Sequence, residues 1–286
     1  MKTAVIGGLR WLGRTLVIVL LVILGSTVLV RFAPGYLSDA REMDSRYAAE
    51  ARSELSAEAA RSRSIHQMLL TEIEDAARGD FGTSRQFDVP VSDLIRPRLA
   101  ASAGLLLRGI GLAWMLALCA ALLSSVGRSP SIFRQAPATV LLAVPTAALA
   151  TFCLLANRGG PVLVMALLLA ARDFKFLDRA LRTAWMEPHV LQARAQGVPA
   201  RRLLMAHIAP SLAPQLGALA SLSIVTALSA LVPVEVLFNV PGIGELAWNA
   251  ALNRDLPVLL AVMMVMALAV TCSGMATPRA AEWESA

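Results

Sequence analysis

Long stretches without a charged residue decide what this chain can fold into. Leu16 to Val30, Gly109 to Val126, Ala136 to Ala156, Pro214 to Val234 and Leu256 to Ala276 are each apolar and uncharged. A helix needs roughly 20 such residues to cross the hydrocarbon core of a bilayer. A further run, Pro161 to Ala171, is short before Arg172, Asp173, Lys175 and Asp178 arrive. A span there must recruit Asn157 to Gly160 or bury part of the charged turn. The expected fold is an all-α polytopic membrane protein with about six transmembrane helices, or about five if the Pro161 run does not cross. Composition agrees: 57% of the 286 residues are hydrophobic and 16% charged, against about a quarter charged in soluble domains. That argues strongly against a soluble enzyme. Cys119, Cys153 and Cys272 all lie in apolar runs, where a thiol acts as a small hydrophobe and carries no disulfide or metal reading.

The first run follows Lys2, Arg10 and Arg14 and is bracketed by Trp11 and Phe32. A signal peptide has the same basic start. However, Val30-Arg31-Phe32-Ala33-Pro34 offers no small-residue cleavage pattern, so an uncleaved span is expected. With the N-terminus cytoplasmic, the inner segments hold thirteen basic residues and the short outer loops only Arg158 and Arg254. The positive-inside rule therefore puts both termini in the cytoplasm. The net charge of +6 is an orientation signal and implies no nucleic acid. Three parts follow: 1–33, a cytoplasmic segment and first transmembrane helix; 34–98, an extracytoplasmic helical segment; and 99–286, a core of five further spans with a polar loop at 172–210.

The extracytoplasmic segment reads as one or two surface helices. Ser64 and Gln67 form a capping-box pair, Ile65, Leu69, Ile73 and Ala77 share one face, and Gly79 stands where a helix would stop. It is expected to be a solvated cover over the outer mouth, with His66 at its surface. The cytoplasmic loop says more. Thr183 to Gln196 is expected to be helical, Gly197 suits a C-terminal turn, and Pro199 suits the first turn of a short helix from about Ala200. Pro210 and Pro214 then lead back into the membrane. Such a basic protrusion could lie on anionic lipid headgroups or dock on a cytoplasmic partner.

Three blocks carry a resemblance. Gln192-Ala193-Arg194-Ala195-Gln196-Gly197-Val198-Pro199, with His207-Ile208-Ala209-Pro210 following, resembles the EAA loop of ABC-importer permeases, in the form seen in the dipeptide/oligopeptide/nickel family. Gly79-Asp80-Phe81-Gly82-Thr83-Ser84, then Pro90-Val91 and Arg98-Leu99, is similar to the stretch before that family's second span. Val234-Glu235-Val236-Leu237-Phe238, Pro241-Gly242-Ile243-Gly244 and Asn253-Arg254-Asp255-Leu256-Pro257-Val258 resemble its last outer loop. There are departures. Leu191 stands where the general pattern has Glu, with Glu187 one turn earlier. Tyr36 replaces the usual Asp after Ala-Pro-Gly, and Thr277-Pro278-Arg279 replaces Asp-Pro-Arg. The connection after the third run shrinks to Asn157-Arg158-Gly159-Gly160, and the fourth span is interrupted by Arg172-Asp173-Phe174-Lys175.

The resemblance implies a multi-pass subunit of a bacterial-type inner membrane that forms the pathway for a peptide or related small solute. No catalytic residue, metal or cofactor is implied. The chain has no G-x-x-x-x-G-K-S/T loop, so ATP hydrolysis is expected on separate subunits. Implied partners are a second permease in a probable heterodimer, two ATP-binding-cassette ATPases, an extracytoplasmic solute-binding protein and membrane lipid. Glu187, Ala193, Arg194, Ala195, Gly197, Pro199, Arg201, Arg202, His207 and Pro210 would form the ATPase-coupling loop, although His207 is equally readable as a packed or interfacial residue. Glu235, at the outer end of the fifth run, would face the pathway or lie near the headgroups. Arg108 is expected to snorkel to the outer interface. The alternative is a non-transporting scaffold or regulatory subunit that keeps the docking loop.

Overall fold

The computed structural model describes residues 81–274 apart from 85, 127–130, 157, 158 and 254, together with isolated positions between 13 and 25. Those isolated positions are helical and expose Val17, Leu20, Leu21 and Leu24, in keeping with a first apolar helix. The surface helices expected over 38–78, with His66, lie outside the described residues. The helices are α1 (Val91–Val126), α2 (Ser131–Ala143), α3 (Thr146–Leu155), α4 (Pro161–Trp185), α5 (Pro188–Ala195), α6 (Ala200–Leu203), α7 (Ala209–Leu237), α8 (Ile243–Leu252) and α9 (Leu256–Ser273). A π-helical segment, Leu204–Ile208, joins α6 to α7. Among the described residues two segments, Val91–Ser124 and Ala200–Leu237, are long and apolar enough to cross a membrane, and α2 with α3 makes a third if the bent pair is counted as one span.

Two of the expected helices break at a proline. The run Ala136 to Ala156, expected as one span, is two helices bent by 94°. Pro145 has φ −58° and ψ 141° and caps α3. It has no N–H to donate, and its ring crowds the preceding residue out of the helical region. α2 packs on α4, while α3 packs on both α4 and α7, so the bend keeps both halves on the same partners. The helix expected over Thr183 to Gln196 is likewise two. Met186 ends α4, Glu187 turns extended at φ −64° and ψ 138°, and Pro188 opens α5. Finally, the short helix after Gly197 is not set off from the fifth run by Pro210. Ala200–Leu237 is one rod of 38 residues. The wide π turn, closed by the Ala209 N–H donating to the Leu204 carbonyl, accommodates Pro210, whose missing N–H and bulky ring would break a regular turn.

The chain divides into two compact units, one of Met1–Ala101 with Pro241–Thr271, the other of Ser102–Val240 with Cys272–Ala286. In the first, Val91 and Ile95 from the start of α1 bury against Ile243 and Leu246 of α8 and Val258 and Val262 of α9. In the second, α4 is the central helix. It buries Val164, Met165, Leu169 and Leu177 and packs on α7, α2 and α3. α1 approaches it closely at Gly109, where an added Cβ would lie 2.6 Å from Met165 Cγ. The charged turn after the fourth apolar run is buried in part: α4 continues for 25 residues, with Asp173 and Asp178 buried and Arg172 and Lys175 half-buried.

Candidate functional site: a rigid helix corner and buried polar contacts

The polar loop folds into a corner fixed by backbone chemistry. α5 ends at Ala195 with Gln196 as its cap, and Gly197 takes φ +82°. The Gly197 N–H donates to the Arg194 carbonyl at 3.0 Å and the Val198 N–H to the Ala193 carbonyl at 3.3 Å. This pair of bonds is a Schellman motif, whose left-handed position favours glycine. Pro199 is extended, with ψ 146°, and caps α6. Its carbonyl accepts from Arg202 N–H at 2.9 Å and Leu203 N–H at 3.1 Å. Val190, Ala193, Leu203 and Ile208 are buried and anchor the corner, with α5 packed on α6 and α4. The outer surface is polar: Arg194, Ala195, Pro199, Arg201 and Arg202 are exposed. Glu187 and His207 are half-buried and Pro210 is exposed in the first turn of α7. His189, which sequence reasoning passed over, lies 3.4 Å from Glu187 through Nδ1. Its ring centroid is 6.3 Å from that of His207, so α5 and the π segment meet at their imidazoles.

Glu235 is completely buried, near the end of α7. Ser102 Oγ donates to its Oε1 at 2.6 Å, a partner 133 positions away that no local pattern points to. The α7 helix then ends in another Schellman turn, with Asn239 at φ 52° and the Val240 N–H donating to the Glu235 carbonyl at 2.9 Å. Arg108 donates through Nε to the Gly104 carbonyl at 2.8 Å and is exposed.

Two buried carboxylates on α4 were legible only as an interruption of charge. Asp173 accepts from Ser223 Oγ at 2.9 Å and from Arg172 Nη2 at 3.1 Å. Asp178 gathers Ser124 Oγ at 2.6 Å, Gln135 Nε2 at 3.1 Å, Arg182 Nε at 3.1 Å and the Arg134 guanidinium at 3.6 Å. Together they pin α1, α2 and α7 to α4. A carboxylate buried in this way is tolerated because its acceptor positions are filled and its charge is paired.

An apolar helical assembly with long membrane-crossing helices and buried, paired charges defines a polytopic helical membrane protein. Residues 109–283 match the family described as binding-protein-dependent transport system inner membrane component, and the chain belongs to that family. It is 25% identical over 217 residues to the oligopeptide transport system permease protein OppB of Escherichia coli (strain K12), covering 68% of this chain and 71% of that protein. It is 24% identical over 238 residues to a putative peptide permease protein of Brucella suis biovar 1, covering 73% and 75%. A shorter match, 30% over 108 residues, covers 38% of this chain and 34% of the metal-staphylopine import system permease protein CntB of Staphylococcus aureus (strain NCTC 8325). The protein is a multi-pass inner-membrane permease subunit of an ATP-binding-cassette importer, and works within a system of several subunits.

Proposed function

We propose that the solute is a peptide or a related small molecule, and that the corner at Gly197 couples its passage to ATP hydrolysis on separate cytoplasmic subunits. The observation that carries the coupling role is the corner itself: two short helices locked by a Schellman turn, anchored by Val190, Ala193 and Leu203 and presenting Arg194, Arg201 and Arg202 outward. A flexible loop would absorb a push, whereas this one is continuous with the 38-residue rod Ala200–Leu237 and transmits it. Glu187, Ala195, Pro199, His207 and Pro210 complete the ATPase-facing loop. Its position requires the cytoplasmic N-terminus and C-terminus that the distribution of arginine favours. The complete importer then contains a second, related permease, two ATPases and an extracytoplasmic solute-binding protein, with Glu235 beside the pathway. The names of the similar permeases support a peptide solute.

The experiment is reconstitution of the complete importer in proteoliposomes, measuring uptake of labelled trialanine with ATP inside. Uptake that requires the binding protein and is lost in Arg201→Glu/Arg202→Glu, while the variant still inserts, supports this reading. ATPase binding without uptake of any peptide in the unaltered complex would instead identify a scaffold.

A further inference from the structure

The charged turn of α4 has no part in the coupling just described, yet it is the most elaborately held feature inside the bundle. Asp173 is fully buried, but the neighbouring Arg172 keeps 24% of its side chain exposed. Arg172 donates from Nη2 to Asp173 at 3.1 Å and to Ser223 Oγ at 3.3 Å, and from Nη1 to Thr226 Oγ1. Trp114 Nε1 closes the back of the cluster with a 3.4 Å bond to Ser223 Oγ.

Position makes this costly. Arg172 sits roughly 17 Å along α4 from Pro161, and Ser223 roughly 21 Å along α7 from Leu237, so the cluster lies well inside both helices and not at a terminus. A guanidinium turned to lipid at the centre of a bilayer costs about 2.5 to 3.5 kcal/mol or more. An ion pair used only for packing is replaced by apolar residues with little loss, often with a gain. A part-exposed arginine inside the bundle therefore points to a polar surface and a task.

The donor geometry indicates the task. A guanidinium has five N–H donors in a rigid plane. The Nε, the two Nη2 hydrogens and one Nη1 hydrogen are directed at Asp173, Ser223 and Thr226. Among the described residues the remaining Nη1 hydrogen has no acceptor. Asp173 also offsets most of the positive charge, which weakens the hold on any anion. A transport pathway needs such a site, favourable enough to enter and weak enough to leave.

We propose that Arg172 is a carboxylate-reading group of the translocation pathway, held in its orientation by Asp173, Ser223 and Thr226 as positioning residues. The inference rests on the peptide reading above, since a peptide carries the free C-terminal carboxylate that Arg172 meets. Lys175 and Asp178, further along α4, do not compete: Lys175 donates to Thr139 at 3.0 Å and Asp178 is occupied by Ser124, Gln135 and Arg182.

The test compares trialanine with trialanine amide in proteoliposomes holding the complete importer. The unaltered importer is expected to take up the free acid about tenfold faster, the worth of one charged hydrogen bond. Arg172→Gln is expected to lower uptake of the acid about tenfold and to leave the amide within about twofold. If Arg172→Gln does not assemble because it leaves Asp173 without its countercharge, the double variant Arg172→Met/Asp173→Leu removes both charges and is expected to show the same lost preference. Equal losses for acid and amide, or a preference that survives in the variants because the binding protein imposes it, overturns the role of Arg172 alone. No uptake of either peptide by the unaltered importer rejects the peptide reading, and the inference with it.

Discussion

Ser84 Oγ donates to Asp255 Oδ2 at 2.5 Å, joining residues 171 positions apart. Both are buried. The same carboxylate oxygen accepts the Gln86 N–H at 3.2 Å, and the Asp255 N–H donates to the Ala250 carbonyl at 2.8 Å. Asp255 thus ties the turn before α1 to the entry into α9. That turn is itself shaped by a bridge between Thr83 and Pro90 and by Asp88 at φ 51°. Beside it, Arg98 and Glu245 pair at 2.5 Å, and Asn249 Nδ2 donates to Glu245 at 2.6 Å. The polar contacts and the small apolar cluster of α1, α8 and α9 hold one unit together.

Removing the acceptor should cost more than removing one donor. Asp255→Ala strips partners from both Ser84 and the Gln86 N–H and is expected to destabilise by about 2 to 4 kcal/mol, while Ser84→Ala costs about 1 to 2 kcal/mol. Thermal unfolding of the detergent-solubilised protein, followed by helical circular dichroism, reads the order. Equal melting temperatures for the two variants would show that Asp255 contributes nothing beyond the Ser84 bond.

At Asp178 the expected asymmetry lies between one carboxylate and its several donors. Its side chain is 1% exposed, against 39% for Arg182. Asp178→Ala removes the carboxylate 3.6 Å from the buried Arg134 guanidinium and the bonds to Ser124, Gln135 and Arg182, a loss of about 3 to 5 kcal/mol. Arg182→Ala removes a half-exposed partner and is expected to cost about 1 kcal/mol or less. Asp178→Leu combined with Arg134→Leu removes both charges and should recover much of the stability of the single Asp178 variant. A double variant as unstable as Asp178→Ala would mean that the remaining bonds, to Ser124 and Gln135, are what holds these helices.

Gly197 separates backbone strain from crowding. Nothing lies within 4 Å of the position its Cβ would occupy, so a side chain there meets space but must adopt φ +82°. Asparagine tolerates that region and valine does not. Gly197→Asn is expected to keep substrate-stimulated ATP hydrolysis near the unaltered rate. Gly197→Val, at a strain of about 1 to 3 kcal/mol, is expected to insert but lose most of the stimulation. ATPase assays on the reconstituted importer distinguish them, and wild-type stimulation in Gly197→Val removes the need for a fixed corner.

How far the sequence predicts these features depends on the range of the interactions that produce them. Gly197 and Pro199 act through their own φ and ψ, so the corner and the start of α6 are legible directly. The apolar runs locate the cores of α1, α7 and α9 because lipid demands continuous helix. Proline is less informative. Pro97, Pro137, Pro214 and Pro233 lie inside unbroken helices, whereas Pro145 and Pro188 begin new ones. The difference lies in what each flanking helix packs against. Apart from Arg182, one turn along from Asp178, the side-chain partners named for Glu235, Asp178 and Asp255 lie between 43 and 171 positions away. A charged residue in an apolar run announces that a partner exists without naming it.

The bend at Pro145 offers a direct measurement of that packing argument. If α2 and α3 are bent chiefly because Pro145 cannot continue the helix, then Pro145→Ala should straighten them. If the faces packed on α4 and α7 hold the two halves, the bend should survive. Spin labels at Ala136 and Phe152, in a background lacking the three native cysteines, should lie roughly 17 Å apart between backbones across a right-angle bend and roughly 24 Å apart in a straight helix. Both α2 and α3 pack on α4, and α3 also packs on α7. Straightening would pull one half off these partners, at a cost well above the roughly 3 kcal/mol that separates alanine from proline in a helix. The expected outcome is therefore a distance in Pro145→Ala within a few ångströms of the unaltered protein, read by double electron–electron resonance. An increase of about 7 Å would assign the bend to the proline alone.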